Sequence, residues 1–160
     1  MLTLNSTFSR TLAIAMSALA ALMLLAGAAQ ARRGHDRQIS GGKVVIEINK
    51  RTQRMTVYVG GVRRYVFRVS TGKRGHATPR GTFRPTRLHK KYFSRKYNNA
   101  PMPNSVFFTR RGHAIHGTSA VRRLGRPASH GCVRLSPRNA AIVFALVKRY
   151  RMRGVSIRII

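Results

Sequence analysis

Alternating apolar and polar residues through the middle of the chain predict a series of short β-strands. Residues 44–48 and 54–59 are rich in β-branched side chains, and the second run alternates with a period of two. Gly60-Gly61 predicts a hairpin turn into a strand at 63–69. Further strands are predicted from residue 82, at 105–109, at 113–116, and where Val155, Ile157 and Ile159 alternate at the end of the chain.

The spacing of the apolar residues changes from strand-like to helix-like after Leu135, where a helix is predicted. Ser136 is typical of a helix N-cap, and proline, here Pro137, suits the first helical position. Gly154 is the expected end of the element. The apolar residues at helical spacing are Ala140, Val143, Phe144, Val147 and Tyr150. The pattern therefore predicts a mainly β domain with one principal α-helix packed alongside.

Residues 87–104 have little periodicity and form the longest segment without a predicted element. A segment of this length in a compact domain is usually functional or disordered. Its aromatic residues, Tyr92, Phe93 and Tyr97, favour an ordered, functional segment.

The N-terminus has the composition of a secretory signal peptide, which we place at 1–31. Arg10 precedes an apolar stretch, and Ala29-Gln30-Ala31 has the small-x-small form of a cleavage site. An uncleaved membrane anchor is the alternative, because the apolar stretch is close to spanning length. Both interpretations place the remainder outside the cytoplasm, in the periplasm or cell wall. Cleavage would leave no stable membrane span.

The rest of the chain divides into a flexible basic tail at 32–42 and one domain at 43–160. Lysine and arginine number 32 against two acidic residues, Asp36 and Glu47. This scarcity excludes a two-carboxylate glycosidase and argues against oxygen-ligated calcium or magnesium. The positive charge either attracts polyanions or reflects a preference for arginine in the source organism. Because the basic residues are spread along an exported chain, we expect no specific nucleic-acid partner.

Cys132 is the only cysteine, and it lies in the run Ser129-His130-Gly131-Cys132. A thiol needs a base or a positive field to react at neutral pH. His130 is two residues away on the same face of an extended segment, which strains direct proton transfer. His116 ends a predicted strand and can approach from a neighbouring one, so we predict His116 as the base and a supporting role for His130.

Other groups near Cys132 complete this hypothesis. The positive end of the helix that begins at Pro137 is expected to favour the thiolate. A backbone carbonyl, such as that of Gly117, can fix the imidazole tautomer. The amides of Gly131 and Cys132 are candidates for an oxyanion hole. The alternatives are a buried apolar cysteine, and a zinc site formed by Cys132 with His113, His116 and His130. We expect no metal and no cofactor.

Five short motifs, in this order along the chain, resemble the L,D-transpeptidase catalytic domain (YkuD) family. They are Ser70-Thr71-Gly72-Lys73, the run from Thr78 to Phe83, the run from Asn98 to Pro103, His116-Gly117-Thr118, and the run from Ser129 to Arg134. The resemblance implies a mainly β, sandwich-like or barrel-like catalytic fold. It also implies Cys132 as nucleophile, His116 as base and Gly117 as orienter. Ser129, His130 and Gly131 would shape the site and its oxyanion pocket, and Arg134 would bind a substrate carboxylate or order the site.

The family implies acyl transfer between peptidoglycan stem peptides. A tetrapeptide donor would acylate the cysteine with loss of D-alanine, and an amine of a neighbouring stem would accept the acyl group. Transfer to water instead would make the protein an L,D-carboxypeptidase. A non-catalytic basic protein that binds polyanions is the alternative from a different class, and anionic wall or outer-membrane polymers are further expected partners.

Overall fold

Two main β-sheets, a separate two-stranded sheet and one α-helix form residues 44–160, the part of the chain that the computed structural model describes. The predicted signal peptide and basic tail lie outside the described residues. The strands are β1 (Val44–Asn49), β2 (Arg54–Val59), β3 (Val62–Arg68), β4 (Gly81–Phe83), β5 (Arg87–His89), β6 (Phe93–Ser94), β7 (Ala100–Pro101), β8 (Ser105–Phe107), β9 (Ala114–Gly117), β10 (Val133–Leu135) and β11 (Val155–Ile159). The helix is α1 (Pro137–Arg149).

The larger sheet has five strands in the order β3-β2-β1-β11-β4. β1 pairs in parallel with β11, with Ile46 opposite Ile157, and the other pairs are antiparallel. The alternation predicted for the last strand is confirmed, because Val155, Ile157 and Ile159 are buried while the residues between them are partly exposed. The predicted hairpin joins β2 to β3 through Gly60 and Gly61, both with positive φ.

The smaller sheet has four strands in the order β10-β9-β8-β5. β9 is antiparallel to β8 and parallel to β10. Most buried apolar residues of both sheets and of α1 form one core. A second, smaller cluster of Met102, Phe107 and Ala114 packs against Tyr92 and Cys132. The prediction of a mainly β fold with one principal helix is confirmed.

The helix begins as the sequence predicts. The Ser136 side chain accepts a hydrogen bond from the Asn139 N–H, and Pro137 occupies the first turn. Ala140, Val143 and Val147 form its buried face. The prediction that this helix continues to Gly154 is wrong, because α1 ends at Arg149. Arg151 has a positive φ of 56°, which a helix does not allow, and a separate 3₁₀ turn precedes β11.

Residues 87–104 are ordered, as their aromatic residues indicate. They contain β5 and a two-stranded hairpin, β6–β7, in which Phe93 lies opposite Pro101. A 3₁₀ turn at Arg95–Tyr97 and the positive φ angles of Asn98 and Asn99 reverse the chain between its strands. Within residues 44–160, no helix has the length and apolar character required to span a membrane.

Candidate active site

The parallel pairing of β9 with β10 brings three of the predicted site residues to one place. Arg134 lies directly opposite His116 in the register of the two strands. Cys132 comes two residues before Arg134, so in extended chain its side chain points to the same face. All three line a cavity of about 360 Å³, which we call the site cavity. The β6–β7 hairpin forms its opposite wall, through Ser94, Tyr97, Ala100, Pro101 and Met102.

His116 is buried, and its ring is fixed by one hydrogen bond. Its Nδ1 lies 2.7 Å from the carbonyl oxygen of Gly117. Because a carbonyl only accepts, Nδ1 carries the proton and Nε2 of the neutral ring keeps its lone pair. Burial, together with the smaller effect of the Arg134 charge, lowers the pKa of His116 to about 4, against the opposing effect of the Gly117 hydrogen bond. His116 is therefore a neutral base at pH 7.

Gly117 also makes room for the strand to pack closely. A Cβ atom there would lie 3.1 Å from the Pro103 ring and 3.3 Å from the Cα of Pro137. The structure thus places the Gly117 carbonyl where the sequence analysis expects it. A side chain at this position would push β9 away from the start of α1.

The Cys132 thiol is largely buried and neutral. Burial raises its pKa, while the backbone N–H of Ala114 and the charge of Arg134 act in the opposite direction. The expectation that the helix start favours the thiolate stays a prediction: β10 lies between Cys132 and Ser136 along the chain, and the dipole acts only near the first turn.

Ser129 shapes the loop that carries Cys132. Its buried hydroxyl donates to the carbonyl of Cys132 at 2.5 Å and accepts from the N–H of Gly131 at 3.1 Å. That N–H is therefore engaged within the loop, and a role for the Gly131 amide in an oxyanion hole stays a prediction. The N–H of Cys132 has no partner among the loop hydrogen bonds of the described residues, which keeps it a candidate oxyanion donor.

Gly131 also allows the cysteine loop to adopt its backbone conformation. Its φ is +113°, a region that side chains disfavour, and a Cβ there would lie 3.1 Å from the His113 ring. Its carbonyl accepts a hydrogen bond from the buried Thr78 hydroxyl at 2.8 Å.

Residues 69–78, which we call the strap, hold this loop along its whole length. Ser70 and Arg134 exchange two backbone hydrogen bonds, at 3.0 and 2.9 Å. The Thr71 carbonyl accepts from the N–H groups of both Ala128 and Ser129, each at 3.0 Å. The strap contains one of the motifs on which the family resemblance depends, Ser70 to Lys73, and the first residue of a second, Thr78. Their contacts position the cysteine loop.

Gln53 is a positioning residue that the sequence analysis missed. It is buried, and its amide oxygen accepts from the N–H of Thr71 at 2.8 Å while its Nε2 donates to the Thr71 hydroxyl at 2.7 Å. In the sequence it lies in a polar turn between two strands, where a glutamine is usually solvated. No feature of the single sequence distinguishes it.

His130 lies at the exposed rim of the site cavity. Its ring stacks on Tyr97, with centroids 5.1 Å apart, and meets the edge of His76. Partial desolvation and then the nearby charge of Lys73 lower the pKa of His130. It makes no hydrogen bond to Cys132 within the described residues, and the supporting role expected for it stays a prediction.

Arg134 is half-buried and donates from Nη1 to the Ala128 carbonyl at 3.2 Å, so it helps to order the loop as well as lining the site cavity.

The four proposed zinc ligands do not come together. Within residues 44–160, no three His, Cys, Asp or Glu side chains are arranged to hold a metal ion.

Known proteins are similar to this chain in sequence and in fold. The family model of the L,D-transpeptidase catalytic domain (YkuD) matches residues 43–157. A curated relative, YqjB of Bacillus subtilis strain 168, carries a provisional L,D-transpeptidase name and is 28% identical over 106 residues, which are 59% of this chain and 60% of YqjB.

Solved structures have the same fold. An L,D-transpeptidase from Mycobacterium smegmatis is 27% identical and superposes with a TM-score of 0.66, covering 75% of this chain and 59% of the other. An L,D-transpeptidase from Stackebrandtia nassauensis is 23% identical, with a TM-score of 0.65 over 76% of this chain and 56% of the other. The chain thus spans about three fifths of the length of these relatives.

Proposed function

The chain belongs to the YkuD family of L,D-transpeptidase catalytic domains, and from this premise we propose that it is an exported acyltransferase with Cys132 as its nucleophile. The family acts on peptidoglycan peptides, and we assign stem peptides to this chain as substrates. One observation carries the proposal. Cys132 and His116 line one cavity, and the Gly117 carbonyl holds the His116 ring with Nε2 ready to accept a proton.

Acylation begins from a neutral thiol and a neutral imidazole. Nε2 of His116 takes the thiol proton as Sγ attacks the carbonyl carbon of the scissile amide, and the carbonyl oxygen becomes an oxyanion that the Cys132 N–H stabilises. When the tetrahedral intermediate collapses, the C–N bond breaks and the D-alanine nitrogen takes the proton from His116. A ring whose pKa is about 4 gives up that proton readily, so the same burial that holds the base neutral helps the leaving group.

The thioester is then resolved by an amine or by water. An amine acceptor forms a new amide, which cross-links or remodels the wall, and water gives L,D-carboxypeptidase activity. The site cavity is open enough to admit either nucleophile, and the choice depends on which one the protein binds beside Cys132. We propose the amine as the productive acceptor, in the periplasm or cell wall.

A polyanion-binding role is a second candidate, favoured by the 32 basic and two acidic residues. Only the charge supports this candidate. Polyanion binding does not explain why Cys132, His116 and Arg134 line one cavity. We therefore propose binding to anionic wall or outer-membrane polymers as a property that retains the enzyme near its substrate.

Muropeptide mass spectrometry tests the enzymatic proposal. The purified protein incubated with tetrapeptide muropeptides should release D-alanine and form cross-linked products, and Cys132→Ala should do neither while keeping the thermal midpoint of the wild type. One relative has been solved in complex with imipenem, so the same agent should add mass to the wild type and not to Cys132→Ala. Release of D-alanine by Cys132→Ala would show that the nucleophile is another group.

A further inference from the structure

The peptide unit that joins Gly131 to Cys132 is held by one side chain from outside its loop. Its carbonyl accepts a hydrogen bond from the buried Thr78 hydroxyl at 2.8 Å. The unit is planar and trans, so its N–H, which belongs to Cys132, points the opposite way from this carbonyl. The Thr78 hydroxyl therefore sets the direction in which the candidate oxyanion donor points.

The peptide units on either side are fixed as well. The buried Ser129 hydroxyl accepts from the N–H of Gly131 and donates to the carbonyl of Cys132. Three successive peptide units thus each have a hydrogen bond to a buried serine or threonine hydroxyl. Among the loop hydrogen bonds of the described residues, the Cys132 N–H has no partner. The loop therefore holds that N–H in one direction while the groups around it are engaged.

Two groups hold Thr78 in turn. The N–H of Gly72 donates to its hydroxyl oxygen at 2.9 Å, and the Lys50 ammonium donates to its backbone carbonyl at 2.7 Å, a charge-assisted bond of the stronger kind. A hydroxyl that accepts one hydrogen bond donates a second more strongly, and a carbonyl that accepts a bond polarises the N–H of its own peptide unit. The chain of bonds from Gly72 to Gly131 therefore orients the Cys132 N–H and strengthens it as a donor.

Lys50 forms a fixed support for this chain of bonds. It lies in the turn between β1 and β2, where its backbone N–H donates to the Ile160 carbonyl at 2.9 Å and its side chain is partly buried. Glu47, the only acidic residue within 44–160, has its carboxylate 3.7 Å from Arg158. The Lys50 ammonium is thus directed to a backbone carbonyl of the strap and not to a carboxylate.

We propose that Lys50 and Thr78 are positioning residues for the oxyanion, which hold the peptide unit of Gly131 and Cys132 through this relay of hydrogen bonds and thereby strengthen its N–H. The inference rests on the proposed function, because an oxyanion forms only when Cys132 attacks a carbonyl. Neither positioning residue lines the site cavity. Their effect falls on the transition state, since the N–H binds a developing negative charge more strongly than the neutral carbonyl of bound substrate.

Single-turnover release of D-alanine tests the kinetic consequence. Lys50→Met removes the ammonium and should lower the maximal acylation rate about tenfold, a part of the roughly 10²–10³-fold cost of losing a whole oxyanion donor. The half-saturating donor concentration should change little. Lys50→Arg, which retains a charged donor, should restore most of the rate. Lys90→Met removes the same charge from an exposed residue that does not line the site cavity, and it should match the wild type.

The carbonyl stretch of the acyl-enzyme is a readout that a merely structural role would not move. A hydrogen bond to a carbonyl oxygen weakens the C=O bond and lowers its stretching frequency. In the adduct expected between imipenem and Cys132, the thioester stretch should shift to higher frequency in Lys50→Met and further in Thr78→Val. Infrared difference spectra of the isotope-labelled adduct measure the shift, and they report only on molecules folded well enough to react. Lys90→Met should show the wild-type frequency.

The outcomes separate this inference from the proposed function. Absence of both D-alanine release and an imipenem adduct in the wild type overturns both. An active wild type whose rate and frequency are unchanged by Lys50→Met overturns only the relay. A slower Lys50→Met with the wild-type frequency also overturns it, because Lys50 would then act on stability alone. An equal loss of rate in Lys50→Met and Lys90→Met would assign the effect to net charge and overturn the relay as well.

Discussion

His116 and Arg134 lie directly opposite each other across β9 and β10, at a site where burial and then the positive charge of Arg134 lower the pKa of His116. The base and a fixed cation thus face the same cavity as Cys132. This arrangement favours a neutral thiol and imidazole at rest over a thiolate–imidazolium pair. In the proposed reaction, the thiol proton would move only when a carbonyl is in place to receive the sulfur.

The acid limb of the activity profile should therefore lie near pH 4. The proposed base accepts a proton only when it is neutral, so kcat/KM for D-alanine release should fall as the pH drops through about 4. Measurement of initial rates from pH 3 to pH 8 tests this expectation. A limb near 6.5, the ordinary value for histidine, would contradict the burial argument.

Replacement of the base should lower the rate of acylation more than substrate binding. His116→Gln should reduce kcat about 10²–10⁴-fold with a small change in KM, because the ring acts in proton transfer. It should also remove the acid limb near pH 4. His76→Gln, at an exposed position outside the site cavity, is the matched control and should keep the wild-type rate. An equal loss in both variants would argue against a specific role for His116.

The lowered pKa of His116 also makes folding stability depend on pH. Between pH 6.5 and about 4 the unfolded chain binds a proton at this residue and the folded chain does not, so stability rises with pH in this window. The wild type should lose about 3 kcal/mol of unfolding free energy between pH 7 and pH 4 that His116→Gln does not lose. Urea titrations at the two pH values measure the difference, and equal losses in both proteins would contradict the prediction.

Gly72→Ala should disrupt the strap. A Cβ at Gly72 would lie 1.8 Å from the carbonyl oxygen of His76, which is backbone and has no room to move. We expect a loss of at least about 2 kcal/mol in unfolding free energy. Gly60→Ala is the control, because no atom lies within 4 Å of its Cβ, and its positive φ of 58° should cost about 1 kcal/mol. A thermal melt distinguishes the two, and equal destabilisation would argue against the clash.

The Thr78 hydroxyl should be needed for activity as well as stability. It donates to the Gly131 carbonyl at 2.8 Å and accepts from the Gly72 N–H at 2.9 Å. Thr78→Val keeps the volume but leaves both groups unpaired, which should cost about 1–3 kcal/mol and lower kcat by loosening the cysteine loop. Thr78→Ser should restore most of both losses. Failure of the serine variant to rescue kcat would assign Thr78 a packing role only.

The sequence was informative where local chemistry decides the structure. Alternation of apolar residues predicted β2 and β11 because each strand buries one face, and Ser136 with Pro137 predicted the helix start because the cap is a local hydrogen bond. The helix end was missed, since the positive φ of Arg151 depends on how the chain enters β11. The assignment of Cys132 and His116 as catalytic groups stays a prediction from residue type and order.

Long-range contacts were not predictable in the same way. Gln53 contacts Thr71 across 18 residues, and Thr78 contacts Gly131 across 53, and neither pair has a local signal. The pKa of Cys132 was not predictable for a related reason. The sequence shows many cations, but burial of the thiol, which outweighs them, is a property of the packed domain.

The parallel pairing of β1 with β11 sets the order in which the domain can assemble. β1 is the first described strand, and its partner is made from the last residues of the chain, with the Ile160 backbone bonded to both Ile48 and Lys50. A nascent chain therefore holds an open, apolar sheet edge until synthesis reaches β11. Such non-local closure favours slow, late folding, and the unfinished edge is prone to aggregation until β11 pairs with β1.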